Sequence, residues 1–100
     1  MKTVTLRKVT IVAEALLESR LLGDVRACGA RGFTLTEVRG EGSRGVRASE
    51  WEGRNVRIET LVAPDVADRI LAHVAEVYFP RFAVVAWVED VEVVRGDKYA

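Results

Sequence analysis

The chain has 100 residues, of which 49% are hydrophobic and 30% are charged, and its 15 basic residues balance 15 acidic ones. This length and this hydrophobic share predict one folded domain over residues 1–100 and exclude a disordered chain. A neutral chain has no overall attraction for nucleic acid or lipid, and its apolar runs are far shorter than the roughly 20 residues of a membrane span. We therefore expect a cytoplasmic protein with no nucleic-acid partner and no direct membrane insertion.

The first part of the chain predicts a strand, a helix and a second strand. Residues 8–13 are rich in β-branched side chains and predict the first strand, which residues 1–7 either extend or leave free. Apolar residues at helical spacing predict a helix over 14–28, and Gly29 is placed to end it in a left-handed conformation. Alternation over residues 32–39 predicts the second strand.

A charged segment with several glycines follows, over residues 40–54. No apolar period runs through it, so it predicts a loop of about fifteen residues. Loops of that length are uncommon inside compact domains and are usually functional or mobile. The segment is therefore the first place to look for function.

The remaining elements are a strand, a helix and two short strands. Alternation over residues 55–62 predicts the third strand. Pro64 suits the first turn of a helix, where its missing N–H is harmless, and the apolar spacing predicts that helix over 64–77. Residues 82–89 predict a fourth strand, and residues 91–95 predict a short fifth strand.

The element order β-α-β-β-α-β reads as two similar halves joined by the long loop. It predicts a ferredoxin-like α+β sandwich, in which two helices cover one face of an antiparallel four-stranded sheet. The other sheet face also carries apolar and aromatic residues, which favours its burial against copies of the same chain. This fold supports many activities, so the function has to be argued from particular residues.

The most informative motif is the run GFTLTEVRGEGSRGVRAS over residues 32–49. It resembles the PII signalling family, whose members share Gly-x-Thr-x-x-Glu-Val-x-Gly-x-Gly leading into a flexible T-loop. The version from Gly40 to Arg47 is more similar to the PII-like proteins associated with carboxysomes and bicarbonate transport. Further similarity to that branch lies in Val12-Ala13-Glu14, Gly29-Ala30-Arg31-Gly32, Asn55–Val62 and Tyr78-Phe79, so the resemblance covers nearly the whole chain.

The resemblance implies a homotrimer that binds an adenine nucleotide in each cleft between subunits. The implied ligands are ADP, AMP, ATP or cyclic AMP, with bicarbonate as a further candidate and no tightly bound cofactor or metal. It also implies a non-enzymatic signalling role. The T-loop, about residues 40–54, would contact a partner, either a membrane transporter for bicarbonate or another inorganic-carbon system. Such a transporter would recruit the protein to the inner membrane.

The loop residues themselves suit a phosphate group. Gly40 and Gly42 allow backbone N–H groups to approach an anion, and Arg44 and Arg47 can converge on one phosphate. A solvated loop with scattered charges is the alternative interpretation of the same residues.

Other nucleotide contacts are implied only by the resemblance. It places Thr34 on the adenine side and Glu59 and Leu61 on the adenine or ribose side, although ordinary sheet pairing also accounts for all three. It places Arg95 near the phosphates, unless the end of the chain is frayed and solvated. Ser43 and Gly96 complete the predicted nucleotide-binding set.

The sequence departs from the PII pattern after the second predicted helix. PII proteins carry a glycine-rich, lysine-containing segment there, whereas this chain has Tyr78-Phe79-Pro80-Arg81-Phe82. This departure disfavours the binding of Mg-ATP together with 2-oxoglutarate. No cysteine follows Cys28, so the redox switch of relatives with a cysteine-bearing C-terminal extension is not expected.

Two other functions fit the same fold. A small phosphate-ester or acyl-phosphate hydrolase would use Arg57 and Asn55, but the phosphate-cradle motif of acylphosphatases is missing near the N-terminus. A metal-binding trimer is the third alternative, and one His with one Cys makes it a poor one.

Overall fold

The computed structural model describes residues 1–39 and 54–95. Four strands form one sheet in the order β2-β3-β1-β4, with every neighbouring pair antiparallel. The strands are β1 (Thr3–Glu14), β2 (Thr34–Val38), β3 (Asn55–Val62) and β4 (Val85–Val94). Helix α1 (Glu18–Ala27) follows β1 after a 3-10 turn, and helix α2 (Pro64–Val77) joins β3 to β4. The predicted ferredoxin-like fold is confirmed.

The core lies between the sheet and the two helices. Side chains alternate across a strand, so Val9 and Ile11 of β1 and Ile58 of β3 share one face, and all three are fully buried. They pack in one cluster with Leu21 of α1 and Ile70 of α2. Within residues 1–39 and 54–95, neither helix covers the opposite face of these strands, which we call the helix-free face and which carries the residues of the candidate site.

Helix α1 ends as its sequence predicts. Gly29 has a φ of 119°, a conformation that glycine adopts without a steric penalty. The N–H of Ala30 then donates to the carbonyl oxygen of Val25 at 3.2 Å. Nε of Arg69 on α2 donates to the carbonyl oxygen of Cys28 at 3.0 Å, so a side chain from the second helix satisfies the end of the first.

The residues on either side of the predicted T-loop contact the rest of the domain. Nη1 of Arg54 lies 3.3 Å from Oε2 of Glu37 at the end of β2. The N–H of Ala15, in the 3-10 turn, donates to the carbonyl oxygen of Arg54 at 3.2 Å. The loop thus spans the gap between β2 and β3, and its residues 40–53 lie outside the described part of the chain.

The structure corrects the predicted start of the first helix and the bounds of the second strand. β1 begins at Thr3 because its first residues pair with β4, and it runs to Glu14, where the helix was predicted to start. A 3-10 turn over Ala15–Leu17 then precedes α1. The second strand begins at Thr34, two residues later than predicted.

The predicted fourth and fifth strands are one strand. Pairing of β4 with β1 runs without a break from Val85 to Val94. Asp90, which separates the two predicted strands, remains in the sheet and is paired with a cation. Nε of Arg7 lies 2.7 Å from Oδ1 of Asp90, its pairing partner across the two strands.

Candidate functional site

An open cleft of about 330 Å³ lies along β1, β2 and β3. The strand register creates it, because Thr34 stands opposite Glu59 and Lys8 stands opposite Leu61. Three of the predicted nucleotide-binding residues therefore line one cavity, together with a lysine that the sequence did not single out. The lining residues are Lys8, Gly32, Phe33, Thr34, Glu59, Thr60 and Leu61.

The wall of the cleft beside β2 is held by a hydrogen bond between two elements. Thr60 is almost completely buried, and its Oγ1 donates to the carbonyl oxygen of Gly32 at 2.6 Å. This bond fixes the segment that enters β2 against β3. The guanidinium of Arg26 lies 5.0 Å from the ring centroid of Phe33, which holds that ring at the cleft.

Five side chains on the helix-free face of the sheet form what we call the charged ring: Lys8, Arg57, Glu59, Trp87 and Glu89. Oε2 of Glu59 lies 3.3 Å from Nη2 of Arg57 and 3.8 Å from Nζ of Lys8. Nζ of Lys8 also lies 3.6 Å from Oε2 of Glu89, which accepts a hydrogen bond from Nε1 of Trp87 at 3.1 Å. The Arg57 guanidinium lies 5.9 Å from the Trp87 ring centroid and closes the ring.

The charged ring covers the middle of β1. Thr10 stands opposite both Glu59 and Trp87 in the sheet and is fully buried beneath the longer side chains. Two cations and two carboxylates of the ring cancel in formal charge. The cleft is thus electrically balanced where Glu59 faces it, which suits the uncharged part of a ligand better than a phosphate.

Of the other predicted site residues, Arg95 belongs to the described part of the chain, and it does not line this cleft. Arg95 follows the last residue of β4, at the end of the sheet where Val94 pairs with Thr3. Its φ of 65° is left-handed, which is uncommon for a residue other than glycine. The remaining six residues lie outside the described part of the chain: Gly40, Gly42, Ser43, Arg44, Arg47 and Gly96.

The hydrolase alternative finds no support in the geometry of Arg57. Its guanidinium lies 3.3 Å from the Glu59 carboxylate and beside the Trp87 ring. A negatively charged acyl phosphate bound at Arg57 would be repelled by the adjacent Glu59 carboxylate. Among residues 1–39 and 54–95, no three His, Cys, Asp or Glu side chains form a group that could hold a metal ion.

Sequence reasoning missed a second polar cluster, on the helix side of the sheet. Oδ2 of Asp24 on α1 accepts a hydrogen bond from the Tyr78 hydroxyl at 2.5 Å and lies 2.9 Å from Nε2 of His73 on α2. Burial acts to raise the pKa of Asp24, but the hydrogen bonds from Tyr78 and His73 outweigh it and the pKa lies below its usual value. Burial, together with Asp24, raises the pKa of the Tyr78 hydroxyl. The cluster ties α1 to the end of α2.

The profile of the family Nitrogen regulatory protein P-II matches residues 6–98 of the chain. The chain belongs to the P-II family. A candidate PII-like signalling protein from Thermus thermophilus is 57% identical to this P-II protein, covers 100% of both chains and superposes with a TM-score of 0.88. The resemblance inferred from the sequence is confirmed.

More distant P-II structures share the fold. CPII from Thiomonas intermedia K12, bound to ADP and bicarbonate, is 22% identical over 99% of this chain and 98% of its own, with a TM-score of 0.86. A GlnK–ATP complex from B. subtilis is 18% identical over 87% of this chain and 84% of its own, with a TM-score of 0.64.

Proposed function

We propose that this P-II protein is a homotrimeric, non-enzymatic sensor. It binds an adenine nucleotide in each cleft between subunits and regulates a partner protein through residues 40–54. The observation that carries the proposal is the convergence of Thr34, Glu59 and Leu61 on one cleft, because the family motif assigns these three positions to the adenine and ribose. Residues 1–100 act in it as one domain.

The chemistry of the cleft supports a nucleoside. Phe33 and Leu61 offer apolar surface to a flat base, and the Thr34 hydroxyl and the Glu59 carboxylate offer hydrogen bonds to amino or hydroxyl groups. Ligand sites combine apolar walls with a few polar groups in this way. The cleft is open on one side, which is consistent with a second subunit completing it.

The phosphates are assigned to residues beyond the cleft. The backbone of Gly40 and Gly42, the side chains of Arg44 and Arg47, and neighbouring Ser43 would hold them, together with Arg95 and Gly96. Support for this ligand class comes from relatives of the same fold, since CPII structures contain ADP, AMP and bicarbonate and a GlnK structure contains ATP. We therefore propose AMP, ADP, ATP or cyclic AMP as the ligand and bicarbonate as a second ligand.

Assembly would bury the helix-free face of the sheet. Val85 and Trp87 on β4 point to that face and are 52% and 37% exposed in the single chain. Removing such apolar side chains from water favours association, at roughly 25 cal/mol for each Å² buried. We propose that three copies cover these faces for one another.

The regulated partner is proposed to be a bicarbonate transporter or another inorganic-carbon system. The motif from Gly40 to Arg47 and the bicarbonate in a CPII structure support this choice. In the described part of the chain, no helix is long and apolar enough to span a membrane. We propose that the protein is cytoplasmic and that the transporter recruits it to the inner membrane. A nucleotide signals only if it binds the free and partner-bound forms of the loop with different affinities.

Calorimetric titration tests the proposal directly. The protein is titrated with AMP, ADP, ATP and cyclic AMP, each with and without bicarbonate, after light scattering has measured its oligomeric state. We expect a trimer and saturable binding of at least one nucleotide, with one site for each subunit. A stable monomer that binds none of the four at millimolar concentration would overturn the proposal.

A further inference from the structure

We propose that Lys8 is a specificity-determining residue of the nucleotide cleft. It orients the Glu59 carboxylate toward a hydroxyl or amino group of the nucleoside, and it does not itself bind phosphate. This inference rests on the proposed nucleotide-binding function and names the part of the ligand that the described cleft recognises.

The cations around Glu59 are concentrated on one of its two oxygens. Nζ of Lys8 and Nη2 of Arg57 both approach Oε2, at 3.8 and 3.3 Å. Both of these ion pairs are formed by Oε2, and among the described residues no contact to Oε1 is part of either pair. Attraction of Oε2 toward two cations favours orientations in which Oε1 points away from them, where it can accept a hydrogen bond. The ligand group facing Oε1 must therefore carry a donor hydrogen.

The charges around Lys8 argue against a phosphate at the same place. Its ammonium lies between two carboxylates, 3.8 Å from Glu59 and 3.6 Å from Glu89. A phosphate drawn to Lys8 would lie beside both anions, and like charges at such distances repel. The ribose hydroxyls and the adenine amino group are neutral donors and meet no such repulsion.

The role of Lys8 is separable from folding. In the single chain the side chains of Lys8 and Glu59 are 28% and 29% exposed, and at 3.8 Å their charged atoms lie beyond hydrogen-bond distance, so this ion pair contributes little to the folding of the chain itself. Loss of Lys8 should thus leave a folded protein in which the Glu59 carboxylate keeps its ion pair with Arg57 but loses the second cation that orients it. Arg7 offers a matched control: it is the neighbouring basic residue on β1, it pairs with Asp90, and it does not line the cleft.

The experiment is a double-mutant cycle on the full chain. Lys8→Gln, Glu59→Gln, the double variant, Lys8→Arg and Arg7→Gln are titrated with adenosine, 3′-deoxyadenosine, AMP and ADP. Thermal unfolding confirms that each variant is folded. We expect Lys8→Gln to lower the affinity for adenosine and the affinity for ADP by the same factor, about tenfold. The reason is that the hydrogen bond from the ligand to the charged Glu59 is weakened. Lys8→Arg should restore most of the affinity, and Arg7→Gln should leave it unchanged.

The double-mutant cycle distinguishes an effect of Lys8 through Glu59 from a direct contact between Lys8 and the ligand. In the Glu59→Gln background, Lys8→Gln should have no further effect on adenosine binding. A larger loss for ADP than for adenosine would show that Lys8 binds phosphate and would overturn the inference. Additive effects in the double variant, or unchanged affinity in Lys8→Gln, would overturn it as well. A parent protein that binds none of the four ligands overturns the proposed function, and this inference with it.

Discussion

Removal of a single hydroxyl group tests how the two helices are held together. Tyr78 is fully buried, and its hydroxyl donates to Oδ2 of Asp24 at 2.5 Å. Hydrogen bonds to charged groups contribute about 1.5–3 kcal/mol. Because the Asp24 side chain is 31% exposed, water can partly replace the lost donor, and the lower end of that range applies. Tyr78→Phe should therefore lower the free energy of unfolding by about 1.5 kcal/mol, or the melting temperature by about 6–12 °C.

The effect should also depend on pH in a defined direction. The pKa of Asp24 in the folded protein lies below its ordinary value of 3.8, so the paired carboxylate stabilises the fold fully above that pH. This stabilisation is lost as the pH falls through the lowered pKa. The difference in stability between the parent and Tyr78→Phe should accordingly be constant near neutral pH and shrink below pH 3.8.

Urea unfolding at matched protein concentration, at neutral pH and at a series of values below the ordinary pKa of Asp24, measures both effects. Asp65→Asn is the control, because Asp65 pairs with Arg69 at 3.4 Å on the surface of α2 and its side chain is 71% exposed. We expect that control to change stability by less than about 1 kcal/mol. Equal stability of Tyr78→Phe and the parent at neutral pH, or a difference that persists unchanged at the lowest pH, would refute the reasoning.

Three further predictions concern the backbone, the loop and the assembly. Gly29→Ala should destabilise the protein by about 1–2 kcal/mol in urea unfolding, because the residue has φ 119° and its new Cβ would lie 3.3 Å from Val66. In contrast, Gly23→Ala in α1 meets open space and should stabilise by about 0.5–1 kcal/mol; the opposite order would contradict the argument. Arg44→Ala and Arg47→Ala should each lower the affinity for AMP or ADP about tenfold or more in calorimetry and leave the affinity for adenosine unchanged. Unaltered nucleotide affinity in both variants would limit the loop to partner binding. Light scattering should give three times the mass of one chain, and a monomer at micromolar concentration would exclude the trimer.

Local sequence patterns predicted much of the fold. The bounds of β3 and α2 agree with the sequence prediction because the strand alternates throughout and Pro64 marks the start of the helix. The single strand β4 was predicted as two, since only its pairing with β1 shows that the acidic stretch around Asp90 stays in the sheet. The early start of β1 depends on the same long-range pairing.

In the candidate site, too, some residues could be predicted from a local motif, whereas others come together only through long-range pairing and packing. Thr34, Glu59 and Leu61 were found through the family motif, and the register of β2, β3 and β1 brings them to one cleft. Lys8 was missed because its place beside Glu59 depends on pairing between strands far apart in sequence. Asp24 and Tyr78 were missed for a similar reason, because they meet only when the two helices pack.

The contacts of Arg54 bear on which insertions and sequence changes the β2–β3 connection tolerates. Its contacts with Glu37 and Ala15 hold the two ends of the β2–β3 connection together within the fold itself. The entropy of closing a loop grows only with the logarithm of its length, at about 0.6 kcal/mol for each doubling. A peptide tag or a small reporter domain inserted between residues 40 and 53 should therefore leave the sheet and helices folded. By the same reasoning, sequence variation confined to that connection can alter what the protein recognises while the core keeps its packing.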